Sequence, residues 1–331
     1  MNELYIVTGA LGHLGSTIID KLISDNKSVR GFDLKEVKHN NLRRNIEMIY
    51  GDITNKDDVE KLFDDIPKDV YVIHCAGIVT ISSFPDKNVY NVNVNGTKNI
   101  VDCSLKHNVK RFIYVSSVHA IEEGKKGSVI KEVDKFDPNK VVGTYAKTKA
   151  IASQYVLDSV KKGLNASIVH PSGIIGPNDL GNGHLTRLFI DYLNNNLTAI
   201  VNGGYDFVDV RDVAIGTINV LYKGKKGECY ILSNKYFTLK ELLKIASTIS
   251  GKKEIKRVLP LWFAKSTALF SELYYKIRRT PPLYTLYSMY TLNANALFSH
   301  DKATKELDYH PRKIEDTIED MLNFIIKNKL K

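Results

Sequence analysis

A glycine-spaced turn set between a short apolar strand and a helix constrains this chain more than any other feature. Leu4-Tyr5-Ile6-Val7 reads as a strand, and Thr8-Gly9-Ala10-Leu11-Gly12-His13-Leu14-Gly15 follows at once and opens a helical pattern. Glycines at this spacing let the backbone turn tightly and come close to a diphosphate, whose charge sits on the helix N-terminus. Placement after a strand and before a helix gives the spacing its force. Gly9, Gly12, His13, Leu14 and Gly15 are therefore expected to cradle the phosphates of a dinucleotide.

The next 160 residues repeat the strand–helix alternation. Strands are expected at Leu4–Thr8, Ser28–Phe32, Ile46–Tyr50, Val70–His74, Arg111–Ser116 and Ala166–His170. Helices are expected at Leu14–Ser24, Lys56–Phe63, Val94–His107 and Thr144–Val160. Such alternation implies an α/β fold, a doubly wound parallel sheet of the Rossmann type covered by helices on both faces. The reading assigns 1–176 to a nucleotide-binding domain, with sheet contributions from about 205–235, and 177–331 to a smaller, mostly helical cap. Cys229–Leu232 and Leu239–Ile249 form a further strand–helix pair, and an amphipathic helix at Ile314–Ile326 closes the chain and docks on the cap.

Composition excludes several classes. A hydrophobic content of 43% with 25% charged residues is that of a soluble globular protein. The net charge of +10 comes from scattered lysine pairs such as Lys125-Lys126 and Lys252-Lys253, not from a basic face with stacking aromatics, which argues against nucleic acid. Cys75, Cys103 and Cys229 are odd in number and widely spaced, so neither a disulfide framework nor a metal site is expected, and a reducing cytoplasm suits them. The N-terminus shows no basic segment followed by an apolar one, and Thr280 to Ser299 is too polar for a membrane span.

The chemistry is carried by residues at strand ends. Tyr145 and Lys149 are four apart and share one face of a helix, where an ammonium can lower the pKa of a phenol toward a working range. Ser117 leaves the fifth strand at its carboxyl end, where open α/β sheets place their ligands, while Ser116 points to the other side. Asp33 ends the second strand, and a carboxylate there accepts both hydroxyls of an adenosine ribose and repels a 2′-phosphate. NAD is favoured over NADP on that ground, tempered by Arg30, Lys35 and Lys38 nearby. Asp52 and Ile53 either bracket the adenine or form an ordinary turn. His74-Cys75-Ala76-Gly77 ends the fourth strand, and Cys75, Ala76 and Gly77 are small enough to pass beside a cofactor. His74 reads as a satisfied buried histidine, and Asn93 as a brace between loops, with direct cofactor contact the lesser reading.

Together these motifs resemble the extended short-chain dehydrogenase/reductases, the group that includes nucleotide-sugar epimerases and dehydratases. The resemblance runs through Asn93-Val94-Asn95-Gly96-Thr97, Tyr114-Val115-Ser116-Ser117, Pro171-Ser172-Gly173-Ile174-Ile175-Gly176-Pro177, Phe207-Val208-Asp209-Val210 and Leu307-Asp308-Tyr309-His310-Pro311. It implies that Tyr145 exchanges the proton, that Lys149 tunes it and holds the nicotinamide ribose, and that Ser117 polarises the substrate oxygen. It also places Pro171 and Ser172 beside the cofactor.

Departures from the group narrow the reaction. Dehydratases carry Asp-Glu after the catalytic Ser/Thr, where this chain has Val118 and His119. Nucleotide-sugar enzymes show Asn at the place of Gly173 and an Arg-Asp pair where this chain runs Asn202-Gly203-Gly204-Tyr205-Asp206-Phe207. The pattern lies nearest the dihydroflavonol reductase and 3β-hydroxysteroid dehydrogenase branch. It implies a small-molecule secondary alcohol or ketone, steroid- or flavonoid-like, with a nucleotide-sugar epimerase holding tight NAD as the alternative and a non-catalytic sensor as the third reading. The aromatics Trp262, Phe263, Phe270, Tyr274, Tyr275, Tyr284, Tyr287 and Tyr290 suit a flat ligand or the packing of the cap. Lys276, Arg278 and Arg279 beside them leave peripheral membrane contact and a homodimer face open as further roles.

Overall fold

Apolar runs bounded by glycine loops and helical segments become twelve strands among the described residues of the computed structural model, seven of them in one parallel sheet. It describes residues 3–35, 46–181, 183–260, 262, 264, 266 and 285–329. The strands are β1 (Glu3–Thr8), β2 (Val29–Asp33), β3 (Glu47–Tyr50), β4 (Asp69–His74), β5 (Arg111–Val115), β6 (Ala166–Pro171), β7 (Gly173–Ile175), β8 (Ile200–Val201), β9 (Gly204–Asp209), β10 (Cys229–Leu232), β11 (Lys235–Thr238) and β12 (Val258–Leu259). The main sheet has the order β10-β6-β5-β4-β1-β2-β3, all parallel. The order reverses between β1 and β4, so the carboxyl ends of those two strands frame a ligand crevice.

Helices cover both faces. On one lie α1 (His13–Ser24) and, from much later in the chain, Val210–Lys223; Ile18, Ile19 and Leu22 of the first meet Val213, Ala214 and Leu221 of the second over Tyr5, Val7 and Ile113. On the other lie α2 (Lys56–Glu60), α3 (Lys87–Tyr90), α4 (Thr97–Lys106) and α5 (Thr144–Lys161), with Val59, Ile100, Val101, Ala150 and Val156 packed on Ile6, Val72 and Phe112. Two expected helices are interrupted. Lys56–Phe63 tightens to a 3₁₀ turn after Glu60, and Val94–His107 begins inside a wide π turn, Asn91–Gly96, that lays Gly96 against Ile53.

Beyond residue 176 the chain builds a second layer while returning to the main sheet. β7, β9 and β11 form a three-stranded sheet, and β8 pairs with β12. These strands are short, and the sheet contribution expected from about 205–235 divides: β10 joins the main sheet and β9 the smaller one. Around them lie α6 (His184–Leu193), α8 (Leu239–Ser250) and the closing helix Ile314–Lys329, with Phe189, Leu242, Leu243, Ile318 and Leu322 in a core of their own, while α7 (Val210–Lys223) packs on the main sheet with α1. α8 starts at a capping box made by Thr238 and Glu241 and stops at Gly251 in the left-handed region. Of the expected aromatic region, Phe263, Phe270, Tyr274, Tyr275 and Tyr284 lie outside the described residues, as do Lys38, Lys276, Arg278 and Arg279; Trp262 is exposed. All three cysteines are free, and among the described residues no helix is long and apolar enough to cross a membrane.

One buried cation ties the later chain to the sheet. Arg111, only 4% exposed at the start of β5, donates to Asn165 Oδ1 (2.6 Å), Ser167 Oγ (2.6 Å) and the carbonyls of Val220 (3.3 Å) and Gly224 (2.7 Å). Arg111→Met should leave these acceptors unpaired and lower unfolding free energy by about 3 kcal/mol in urea titration. A loss below about 0.5 kcal/mol would show that the network is dispensable.

Candidate active site

The glycine loop closes on itself at the head of β1. Gly12 N–H donates to the Gly9 carbonyl (3.1 Å), and Ala10 N–H to that of Phe32 (3.2 Å). A Cβ at Gly15 would run into the Gly9 carbonyl, so no larger residue fits the turn. The N-terminus of α1 opens here with no side-chain cap and no acidic residue in its first turn, which suits an anion. Asp33 stands at the rim, its carboxylate accepting from Leu11 N–H and Leu34 N–H, both at 2.8 Å. His13 Nε2 donates to the Pro177 carbonyl (2.8 Å) and joins the loop to the chain after β7. A cradle of this shape, with a carboxylate at the second strand's end, fits a dinucleotide.

The other expected cofactor residues divide by position. Cys75, Ala76 and Gly77 leave β4 beside the loop: Ala76 N–H donates to Thr8 Oγ1 (3.3 Å), and a Cβ at Gly77 would lie 3.6 Å from the Lys149 ammonium. Asn93 accepts from Ile78 N–H (2.7 Å) and donates to the Ile78 carbonyl (3.0 Å) and Thr148 Oγ1 (3.1 Å), the brace the sequence suggested. Asp52 closes a turn on Thr54 N–H (2.8 Å), while the Ile53 side chain is buried under Gly96. Pro171 ends β6, and the Ser172 hydroxyl donates to Asp206, whose carboxyl burial pushes up to about 6. His74 is fully enclosed between Thr8 Oγ1 (2.6 Å) and Thr97 Oγ1 (3.0 Å), and burial drops its pKa to about 3.

Ser117, Tyr145 and Lys149 converge where β5 ends. Ser117 caps the short turn Val118–Ala120, its Oγ accepting from His119 N–H (3.2 Å), while Ser116 turns away and pairs with Ser153 (2.7 Å). Tyr145 and Lys149 come from the first two turns of α5. All three are at least nine-tenths buried. The Lys149 ammonium donates to the Val115 carbonyl (2.8 Å) and the Tyr114 hydroxyl (3.3 Å), and burial lowers its pKa to about 8.

The expected lowering of the Tyr145 pKa is not found in this state. Burial pushes the phenol up to about 12, opposed by its hydrogen bond with Ser117, and Lys149 is not among the groups that act on it. Desolvation outweighs the ammonium because Val115 and Tyr114 hold the latter one turn away.

Three aromatic residues outside the Ser117, Tyr145 and Lys149 motif crowd this centre. His119 stacks on Tyr205 (centroids 5.4 Å apart), meets Tyr145 edge-on (6.0 Å) and tilts against Tyr287 (6.2 Å). Its Nε2 pairs with the Tyr205 hydroxyl (3.1 Å), and burial takes its pKa down to about 4, so the ring is neutral. His119 also lines a cavity of about 350 Å³, with Ile121, Glu123, Val141, Val142 and Tyr290. It thus touches both the cavity and Tyr145. Of the three, Tyr287 is among the aromatics the sequence offers for a flat ligand, His119 is marked only by its position two residues past Ser117, and no local signal marks Tyr205.

The profile of the "NAD dependent epimerase/dehydratase family" matches residues 5–233, most of the chain. The chain belongs to that family. It is accordingly an enzyme of the extended short-chain dehydrogenase/reductase type, and NAD, the family's cofactor, fits the cradle described. Among similar proteins is "sterol demethylase protein B" of Methylococcus capsulatus, 27% identical over 92% of this chain and 93% of its own. A "putative dihydroflavonol 4-reductase" of Synechocystis is 30% identical over 82% and 80%. The crystal structure of gox2253 superposes with a TM-score of 0.84 at 30% identity, covering 99% of both chains.

Lys149 makes stability depend on pH with a definite sign. Its folded pKa of about 8 lies below the ordinary 10.5, so from pH 8 to 10.5 the unfolded chain holds a proton that the native one has released. Unfolding free energy of the wild type, minus that of Lys149→Met, should therefore rise across this window and level off outside it. Urea titrations from pH 7 to about 11 measure it; a flat or falling difference would place the lysine in an ordinary environment.

Proposed function

We propose that this enzyme is an NAD-dependent dehydrogenase or reductase that interconverts a secondary alcohol and a ketone on a lipophilic, ring-shaped substrate. The observation that carries the reading is the meeting of Ser117, Tyr145 and Lys149 under an aromatic roof beside the glycine cradle. Residues 1–176, with β10, serve as the cofactor domain and 177–331 as the substrate cap. The cytoplasm is the compartment that suits three free cysteines.

Gly9, Gly12, His13, Leu14 and Gly15 would hold the diphosphate, Asp33 the adenosine ribose, and Lys149 the nicotinamide ribose. The nicotinamide, when bound, accepts or supplies the hydride. In reduction, Tyr145 gives its proton to the substrate oxygen as Ser117 donates a hydrogen bond to the same atom. In oxidation the proton returns to Tyr145. A phenol with a pKa near 12 is a poor base, so its ionisation would depend on positive charge brought close to it, which the oxidised nicotinamide would supply when bound.

Elimination and nucleotide-sugar chemistry are less well supported. Val118 is buried and His119 is a stacked, neutral ring where a dehydratase needs an acid and a base. Tyr205 and Asp206 occupy the strand from which an Arg would reach a diphosphate. Ile121, Val141 and Val142 give the cavity an apolar part, beside charged residues of which Lys140 and Glu122 pair with each other (3.1 Å).

Purified enzyme with NAD or NADP should turn over a steroid or flavonoid alcohol or ketone, and no nucleotide sugar, when followed at the nicotinamide absorbance. Tyr145→Phe should lower turnover about 10³-fold and change NAD affinity less than about threefold. Full turnover in the variant would remove Tyr145 from the reaction.

A further inference from the structure

A buried hydroxyl without a partner is rare, because its desolvation is not compensated by any hydrogen bond. Among the described residues Tyr287 carries one, and its side chain is 7% exposed within the cluster over Tyr145. The phenol senses the charges of both Tyr145 and Glu123. Its polar neighbours are satisfied among themselves: His119 Nε2 pairs with Tyr205, and Glu123 accepts from Tyr290 (3.0 Å). In this cluster the Tyr287 oxygen is the one buried polar atom that makes no hydrogen bond among the described residues.

Several features hold the ring in place. Gly143, at a φ of 95°, precedes α5, and a Cβ there would run into the Tyr287 ring. Tyr287 N–H donates to Ser83 Oγ (3.1 Å), and the Thr285 hydroxyl donates to the Ile81 carbonyl, latching the helix Leu286–Thr291 to the chain after β4. Packing alone would be served as well by phenylalanine, which lacks the unpaired oxygen.

We propose that Tyr287 is a substrate-binding residue whose hydroxyl holds a second oxygen of the substrate, near the one that exchanges a proton with Tyr145. The inference rests on the alcohol–ketone reading and narrows it. The substrate class is an alcohol or ketone with a hydroxyl, oxo or carboxylate group close to the reacting carbon, not an isolated carbinol on a hydrocarbon ring. His119, which lines the cavity, touches both Tyr145 and Tyr287.

The test uses matched pairs: dihydroquercetin against eriodictyol, which lacks the hydroxyl beside the ketone, and a 3β-hydroxysteroid with and without a 4α-carboxylate. Wild type should prefer the oxygenated member in kcat/KM. Tyr287→Phe should reduce that preference about tenfold. The ligand-free variant should also melt no lower than wild type, since the lost hydroxyl had no partner. An unchanged preference overturns the inference and leaves the oxidoreductase reading standing. A variant that melts lower counts against it too, since the hydroxyl then has a structural partner. No turnover of any pair by wild type overturns the oxidoreductase reading and the inference with it.

Discussion

A lysine and a phenol buried side by side at the end of a parallel sheet are the constraint on which the rest of this enzyme depends. Burial disfavours both charged forms, raising the acid and weakening the ammonium that would tune it. The fold tolerates this because α5 fixes both side chains one turn apart, and because the Val115 carbonyl and the Tyr114 hydroxyl receive the ammonium. A centre so dry makes any added charge act strongly, which is the condition for electrostatic catalysis.

The surrounding architecture serves that centre. The change of strand order between β1 and β4 opens the crevice, and the glycine loop fills its head without occupying it. β5 delivers Ser117 to the same edge and α5 delivers Tyr145. Residues from 205 and 287 then close the top, so the chain's distant parts determine what reaches the reacting atoms.

Much of this was legible in the sequence because its causes are local. The six strands and four helices before residue 176 follow from apolar runs and 3.6-residue periodicity, and they fall within about two or three residues of their expected bounds. The glycine loop and the Tyr145–Lys149 spacing are likewise local. Asn93 and His74 were read as bracing and buried groups, and their hydrogen bonds agree. What escaped is non-local. β7, β9 and β11 have three to six residues each and are stabilised by one another, not by an intrinsic pattern. The aromatic roof joins positions far apart in the chain, which no spacing rule reaches. The phenol's raised pKa was misjudged because helix spacing brings Lys149 near Tyr145 yet leaves out desolvation and the carbonyl that competes for the ammonium.

The most direct measurement is the ionisation of Tyr145 itself, taken as the tyrosinate absorbance difference between wild type and Tyr145→Phe across pH. Without cofactor the midpoint should lie near 12, and with NAD⁺ bound it should fall by more than about two units as positive charge enters a buried site. An identical midpoint in both states would contradict the account.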